Sequence, residues 1–242
     1  MKNAFGLICF QPKEIWCNFL NNFTEYSVFL IVDDNNFDLN DFEKLYKNIS
    51  FIKIDSSKCE LNGFIYLNYS ESECTKKIIA WEKALYYFSV ENNLYNNVWL
   101  LEDDVFFHDE NTLINIDNKF PLDDLLSNHF HENSCEKIDY WYHWGRFKIE
   151  FPFPHYRGMM CAVRLSKNLI NKINEYAKQY NTLFFLEALF PTITIKNNLK
   201  FNNPEELKEI KWNCSFEKKD IIKTNLYHPV KNLENHIIFR MV

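Results

Sequence analysis

Carboxylates stand where two apolar runs of the sequence end. The runs 27–32 and 98–101 are typical of buried strands, and the acidic residues that follow them are Asp33, Asp34, Glu102, Asp103 and Asp104. Parallel strands present their carboxyl ends at one edge of a sheet, so these side chains are expected to gather there. They would repel one another unless a cation lay among them. Mg²⁺ and Mn²⁺ prefer carboxylate oxygens and keep positions open for phosphate oxygens, so the pattern predicts a metal-bridged diphosphate. The competing explanation is that acidic residues simply form turns after strands.

Two further residues have side chains that could take part in chemistry. Glu187 is the only charge in the apolar block 183–190. Apolar surroundings would raise the pKa of its carboxyl towards that of a base that works at neutral pH, although a helix face could equally present it to water. His228 precedes Pro229, which holds the chain extended and could present the imidazole rigidly. An ordinary core or surface histidine is the alternative, and His236 is a weaker substitute.

Other polar residues are weaker candidates. Gln11 follows the first apolar run, and Lys77 lies where a helix is predicted to begin, so both could meet a nucleotide diphosphate. A solvated first helical turn explains Lys77 equally well. His129, His131 and Cys135 have the chemistry of zinc ligands but lie in a polar loop, and no zinc site is expected there.

Composition excludes several common classes. The chain has 242 residues, 47% of them apolar, and a net charge of −6 from 27 basic and 33 acidic residues. Its only four glycines are widely separated, which excludes the dinucleotide fingerprint, the Walker loop and the hydrolase nucleophile elbow. Neither a basic stripe nor a long apolar segment points to nucleic acid or to a membrane span. Seven scattered cysteines without a Cys-x-x-Cys pair favour reduced thiols, hence a cytoplasmic location.

The elements that must position these residues alternate along the first half of the chain. Strands are predicted at 4–10, 27–32, 51–54 and 98–101, and helices at 15–23, at 41–47 and from a capping box at Ser70 and Glu73 to about 91. Such alternation predicts an α/β fold with a mostly parallel sheet and helices on both faces. The second half is less regular, with an aromatic strand at 138–144, an apolar stretch at 159–165, a helix capped by Ser166 and the block 183–190 closed by Pro191.

The acidic runs resemble motifs of the GT-A-fold glycosyltransferases, the nucleotide-diphospho-sugar transferase superfamily. The run 31–36 (Ile-Val-Asp-Asp-Asn-Asn) is similar to the end of their second strand, where an aspartate meets the nucleotide base. The run 100–105 (Leu-Leu-Glu-Asp-Asp-Val) is similar to their metal-binding Asp-x-Asp motif, here in the variant Glu102-x-Asp104. Two departures are Asn35-Asn36, where glycine and serine are common, and Glu187-Ala188, where Glu-Asp is usual.

The resemblance implies a role for each candidate residue. It implies a GT-A-like Rossmann-type sandwich in which Asp104, with Glu102 and His228, holds Mn²⁺ or Mg²⁺. Glu102 or Asp103 would face the donor ribose. The segment 157–159 (Arg-Gly-Met) would match a glycine-containing loop near the acceptor. Glu187 would match the acidic residue that opens a helix beneath the acceptor and would act as the base.

The expected function is a metal-dependent glycosyltransferase. It would move a sugar from a nucleotide-diphosphate donor, expected to be a UDP-sugar, to a hydroxyl of a glycan, a glycoprotein or a small molecule, with inversion. A retaining outcome stays open, because a sequence contains no distances. One domain, 1–242, would bind the donor through 1–107 and the acceptor through 108–242. The alternatives are a nucleotidyltransferase with a related sheet and a non-catalytic carbohydrate-binding protein. Nucleotidyltransferases usually have a glycine-rich first loop, which residues 10–13 lack.

Overall fold

A seven-stranded sheet forms the centre of the fold, as shown by a computed structural model that describes residues 3–69 and 73–241. The strands, in chain order, are β1 (Asn3–Cys9), β2 (Tyr26–Val32), β3 (Ile49–Ile52), β4 (Tyr66–Tyr69), β5 (Cys74–Lys77), β6 (Asn97–Glu102), β7 (Leu125–Leu126), β8 (Phe130–Asn133), β9 (His155–Gly158), β10 (Ala162–Ser166), β11 (Phe201–Asn202), β12 (Glu209–Ile210) and β13 (Tyr227–His228). The order across the sheet is β11-β7-β10-β6-β1-β2-β3. Only β10 runs antiparallel to its neighbours in this sheet, so the predicted mostly parallel α/β sheet is confirmed.

Helices cover both faces of this sheet. They are α1 (Glu14–Leu20), α2 (Asn40–Leu45), α3 (Ser56–Leu61), α4 (Ala80–Tyr86), α5 (Glu110–Lys119), α6 (Lys167–Tyr180), α7 (Leu186–Lys196) and α8 (Leu233–Arg240). Strand side chains alternate between the faces, so Ala4 and Ile8 of β1 join one core with α4, α6 and α7. Phe5 and Leu7 join the opposite core with α1 and α5. None of the helices in the described part of the chain has the length and apolar composition that crossing a membrane requires.

The helix predicted from the capping box begins later than expected. Ser70 lies outside the described residues, and Cys74–Lys77 forms strand β5, which pairs antiparallel with β4. Helix α4 begins only at Ala80, where the backbone N–H of Ile79 donates to the Glu82 carboxylate at 2.9 Å. The prediction of a helix over 74–79 was wrong because the apolar periodicity starts at Ile78. Strand β5 is exposed and is held by its backbone pairing with β4.

Two predictions in the second half were also wrong. The aromatic segment 138–144 is not a strand, since Tyr142–Arg146 forms a 3₁₀ helix. Pro191 does not close an apolar block but lies inside α7, where it cannot donate a backbone hydrogen bond to the carbonyl of Glu187. Burial of Leu189, Phe190 and Ile193 in the core keeps the helix continuous despite that missing bond. The helix capped by Ser166 is confirmed, with its hydroxyl accepting from the Leu169 N–H at 3.1 Å.

Candidate active site

The ends of β1, β2 and β6 bring four of the five predicted carboxylates together. Cys9 is paired with Val32, and Ile8 with Glu102, so the residues that follow β2 and β6 reach the same edge. We call Asp33, Glu102, Asp103 and Asp104 the acidic edge. All four line one cavity of about 290 Å³, the edge cavity, together with Ile8, Cys9, Phe10, Ile79, Ala80 and Trp81.

Two lysines offset the charge of two of these carboxylates. The Lys83 ammonium, whose side chain is only 3% exposed, lies 2.9 Å from Asp33 Oδ1 and donates to the Asp33 carbonyl at 2.6 Å. The Lys13 ammonium lies 2.6 Å from Asp103 Oδ2. The indole N–H of Trp16 also donates to the Asp103 carbonyl at 2.9 Å, which fixes the backbone of the acidic run. Since Asp33 and Asp103 already have cationic partners, Glu102 and Asp104 are the edge carboxylates best suited to hold a metal ion.

His228 lies beside those two carboxylates. Its Nε2 is 3.3 Å from Asp104 Oδ1 and 3.9 Å from Glu102 Oε2. Its Nδ1 lies 2.7 Å from the carbonyl of Lys211, and a carbonyl can only accept, so Nδ1 carries a proton and donates. Nε2 is therefore the nitrogen that faces the carboxylates, which is how a metal-ligating histidine is usually oriented by its second ring nitrogen.

Backbone pairing fixes this distant histidine above the acidic run. Phe106 and Tyr227 exchange two backbone hydrogen bonds, of 2.8 and 2.9 Å. The Val230 N–H donates to the carbonyl of Asp104 at 2.7 Å. The position of the imidazole thus depends on main-chain contacts between parts of the chain more than a hundred residues apart.

The ionisation of these groups is coupled. Burial raises the pKa of Glu102, and the hydrogen bond from the Trp81 indole, of 2.8 Å, only partly offsets this. Burial opposes ionisation of Asp104 as well, but the hydrogen bond and charge of His228 lower its pKa overall. Burial likewise disfavours protonated His228, yet Asp104 raises its pKa overall. Asp104 thus favours a proton on His228, and a divalent cation bound there would take the place of that proton.

The donor set fits a divalent cation. Carboxylate oxygens suit Mg²⁺ and Mn²⁺, and an imidazole nitrogen is a common third ligand for transition metals. A thiol is also present, because Glu102, Cys161 and His228 each offer a ligand atom within 4.8 Å of the others. Cys161 was not among the predicted site residues. It precedes β10, and its carbonyl accepts from the Glu102 N–H at 2.9 Å.

Glu187 shares a second cavity with the metal-ligand candidates. This central cavity, of about 550 Å³, is lined by Glu102, Asp104, His228 and Glu187 among others. Glu187 lies in the first turn of α7, as predicted for a residue that opens a helix. Burial, with a smaller contribution from the charge of Glu102, raises the pKa of Glu187 to about 7. Such a carboxyl can accept a proton near neutral pH and is stronger as a base than an exposed glutamate.

A third cavity continues from the central one and is lined by aromatic rings. This aromatic cavity, of about 570 Å³, shares Met159, Phe185, Glu187 and Trp212 with the central cavity. His143 stacks on Phe185 with ring centroids 5.0 Å apart, and Trp141 lies 5.7 Å from the same ring. Flat apolar ring faces beside polar groups are suited to a sugar or another cyclic ligand.

Polar residues and a glycine shape the wall of the aromatic cavity. Arg157 forms a two-pronged ion pair with Asp139, and its guanidinium lies 5.3 Å from the Trp141 ring centroid. Gly158 ends β9, and a Cβ there would lie 2.9 Å from the carbonyl oxygen of His129. Since that contact is too short for a real Cβ, the close pairing of β8 and β9 requires glycine at this position.

The remaining predicted residues lie apart from these three cavities. Gln11 donates to Asp34 at 2.7 Å, and neither residue lines the cavities described above. Lys77 is exposed on β5, opposite Tyr66, so its predicted place in a first helical turn was wrong. His236 donates from Nε2 to the Val230 carbonyl at 2.8 Å and packs against the Trp16 ring, so Nε2 is not directed at the acidic edge.

The two histidines of the polar loop lie on the wall of the aromatic cavity. His129 and His131 line the aromatic cavity, and Cys135 is exposed. Within residues 3–69 and 73–241, the one group of three or more close metal-ligand atoms is Glu102, Cys161 and His228.

Two residues that line the central cavity, Cys161 and Trp212, were not predicted from the sequence. Cys161 lies in the predicted apolar stretch 159–165, where a cysteine is an unremarkable core residue. Its place in the site follows from the antiparallel pairing of β10 with β6, which periodicity does not reveal. A tryptophan within a polar segment was the signal in the sequence that could have indicated Trp212. In the structure this residue is 79% exposed.

Comparisons with known proteins give similarity of chain arrangement only. No model of a protein family matches the sequence, and no curated protein matches it significantly. A 4-diphosphocytidyl-2C-methyl-D-erythritol synthase from Anaerococcus prevotii is similar in structure with a TM-score of 0.47 and 11% identity, over 99% of this chain and 97% of that one. The bifunctional IspDF from Campylobacter jejuni is similar with a TM-score of 0.43 and 12% identity, over 93% of this chain.

These two similarities do not identify an activity. The chain spans about half the length of the Campylobacter jejuni protein, of which 55% is covered. Neither protein is named as a glycosyltransferase, so the resemblance to GT-A enzymes stays a prediction. The mixed α/β sheet with helices on both faces, which that resemblance also implied, is present.

Proposed function

We propose that this chain is a metal-dependent transferase that uses a nucleotide diphosphate as leaving group, and that the transferred group is a sugar. The observation that carries the proposal is one cavity lined both by Glu102, Asp104 and His228 and by Glu187, whose pKa is raised to about 7. A metal-ligand set and a potential base on either side of a reacting bond are what transfer from a diphosphate to a hydroxyl requires.

The nucleotide would bind in the edge cavity, within residues 1–107. Asp33 lies at the end of β2, where it can accept hydrogen bonds from a nucleoside, and Asp103 can meet a ribose hydroxyl. Bound Mn²⁺ or Mg²⁺ would supply Lewis-acid neutralisation of the diphosphate charge. Glu102, Asp104 and His228 are the residues that would hold the ion next to the central cavity.

The acceptor would bind in the aromatic cavity, within residues 108–242. Glu187 would take the proton of an acceptor hydroxyl as that oxygen bonds to the anomeric carbon and the bond from that carbon to the diphosphate oxygen breaks. Attack opposite the leaving group inverts the anomeric carbon. The rings of Trp141, Phe185 and Trp212 offer flat faces on which an acceptor sugar can stack.

Nucleotidyl transfer is the second candidate. Lys13 and Lys83 reach the acidic edge from the nucleotide side, and two cations there would also suit a triphosphate. In that reaction, an acceptor oxygen bonds to the α-phosphorus and pyrophosphate leaves. Glu187 could serve as base in either reaction when the acceptor is a hydroxyl. Both lysines are already paired, Lys13 with Asp103 and Lys83 with Asp33, which leaves them less free to hold a triphosphate and favours glycosyl transfer.

Product analysis separates the candidates. The protein would be incubated with Mn²⁺, a mixture of acceptor glycans, and either a panel of nucleotide sugars or the four nucleoside triphosphates. Release of a nucleoside diphosphate supports glycosyl transfer, whereas release of pyrophosphate supports nucleotidyl transfer. Nucleotide-sugar binding without release of either product would indicate a carbohydrate-binding protein.

Matched variants test whether the acidic edge carries the reaction. Asp104→Asn should abolish metal-dependent product release, because the amide cannot neutralise a divalent cation. Asp41→Asn is the matched control, since Asp41 is 89% exposed in its side chain and lies on α2. Equal activity of the two variants would contradict the proposal.

A further inference from the structure

The thiol of Cys161 lies among the candidate metal ligands. Cys161 is 7% exposed and lines the central cavity with Glu102 and His228. Its sulfur lies within 4.8 Å of a carboxylate oxygen of Glu102. The ligand atoms of these three residues lie within 4.8 Å of one another, a separation that one ion could bridge with small side-chain movements.

A thiol changes which ions the cavity can accept. Mg²⁺ and Mn²⁺ bind oxygen ligands and gain little from sulfur, whereas Zn²⁺ and Co²⁺ bind sulfur, imidazole nitrogen and carboxylate oxygen. We propose that the central cavity binds a borderline-soft divalent cation, Zn²⁺ or Co²⁺, through Cys161, Glu102 and His228. As the sulfur–metal bond forms, the thiol proton leaves to solvent, and no electron is transferred.

This ion would compete with the hard cation of the proposed function. Both ions use Glu102 and His228, so they cannot be bound together. Asp104 Oδ1 is 3.3 Å from His228 Nε2 and is close enough to complete a fourth position. Zinc with four protein ligands keeps no position for a diphosphate, so binding of Zn²⁺ would inhibit transfer. The binding itself does not depend on which reaction the protein catalyses.

Cobalt absorption tests the proposal without any activity assay. The full chain would be used in a background with Cys74→Ser and Cys135→Ser, because these two thiols are exposed and could bind ions on the surface. Titration with Co²⁺ should reach one ion per chain and produce a thiolate-to-cobalt charge-transfer band in the near ultraviolet. Excess Zn²⁺ should abolish the band, because zinc binds such ligands more tightly than cobalt and has no such transition.

Substitution of single cysteines identifies the ligand. Cys161→Ser should abolish the charge-transfer band and weaken Zn²⁺ binding by roughly tenfold or more. Cys214→Ser is the matched control, since the Cys214 thiol contacts the His228 carbonyl at 3.2 Å but does not belong to the three-ligand group. It should keep the band. Circular dichroism would establish that each variant is folded, with Cys161→Ala as a second variant.

Two results would overturn the proposal: no charge-transfer band in the background protein, or a band that persists in Cys161→Ser. The outcome is separable from the proposed function. Sugar transfer with Mn²⁺ but no cobalt band would remove this inference alone, whereas a cobalt band without any transfer would leave it standing and contradict the proposed function.

Discussion

Replacing Glu187 with glutamine removes the proposed base while keeping the size of the side chain. Burial is the main reason that its pKa lies at about 7, and the charge of Glu102 adds to it. The protonated carboxyl predominates below this pH and cannot accept a proton from an acceptor hydroxyl. The transfer rate of the wild type should therefore fall as the pH falls below 7 and level off above it.

The size of both effects follows from this pKa. One pH unit below it, about a tenth of the molecules have an ionised Glu187, so kcat/KM at pH 6 should be roughly tenfold below its plateau. A general base contributes about 10²- to 10⁴-fold to a rate, so Glu187→Gln should lower kcat at pH 8 by a factor in that range. The variant should also lose the acidic limb of the pH profile, because glutamine does not titrate.

The assay is release of nucleoside diphosphate at saturating donor and Mn²⁺ and varied acceptor, which gives kcat and kcat/KM, between pH 5.5 and about 8.5, the range in which the raised pKa is observable. Saturating metal is needed because protonation of His228 competes with the ion. Glu175→Gln is the matched control, since Glu175 is exposed on α6. Near wild-type kcat in Glu187→Gln, or an acidic limb that persists in it, would refute the assignment of Glu187 as base.

Three other substitutions test stability and acceptor binding. Burial raises the pKa of Glu82 from 4.5 to about 7, so the native state retains a proton that the unfolded chain releases. The stability that this retained proton contributes is lost as the pH rises from 4.5 to 7. Glu82→Gln should therefore be more stable than wild type by up to about 3 kcal/mol at pH 8 and similar at pH 4 in urea unfolding; equal stability at pH 8 would contradict this. The side chain of Arg164 is fully buried, and its guanidinium lies 3.1 Å from the Asp117 carboxylate. Replacing Arg164 with methionine should lower the free energy of unfolding by about 3–5 kcal/mol in the same measurement, because Asp117 is left without its cation. A loss below 1 kcal/mol would show that the remaining Tyr26 and Trp99 hydrogen bonds to Asp117 suffice. Trp212→Ala should raise the acceptor KM roughly tenfold with little change in kcat, as measured in steady-state kinetics, if its ring stacks on the acceptor; an unchanged KM would place the acceptor elsewhere.

The first half of the fold was predictable because its signals are local. Strands β1, β2 and β6 are mostly apolar runs, and an acidic residue follows β2 and ends β6. The pairing of β4 with β5 was not predicted, since the exposed residues of β5 show no alternation of apolar and polar side chains. The segment 138–146 failed for the opposite reason, because its aromatic residues pack through tertiary contacts such as Trp141 on Phe185.

The acidic edge was predictable from topology, and the rest of the site only in part. Parallel strands end together, so Asp33 and Asp104 were expected at one place, and they line the same cavity. His228 and Glu187 were named from their residue types, but the Lys211 carbonyl that orients His228 comes from a distant segment. Cys161 could not be placed, because nothing in the sequence shows that β10 runs antiparallel beside β6.

Calorimetric titration with a nucleoside diphosphate tests most directly the claim that the acidic edge binds a metal–diphosphate complex. UDP and CDP would be titrated into the wild type, Asp104→Asn and the control Asp41→Asn, each with Mn²⁺ and with a chelator. We expect both nucleotides to bind the wild type and Asp41→Asn only when Mn²⁺ is present, and we expect no metal-dependent binding to Asp104→Asn. Failure of both nucleotides to bind the wild type with Mn²⁺, or equal affinity with Mn²⁺ and with chelator, would show that the acidic edge does not bind a metal–diphosphate complex.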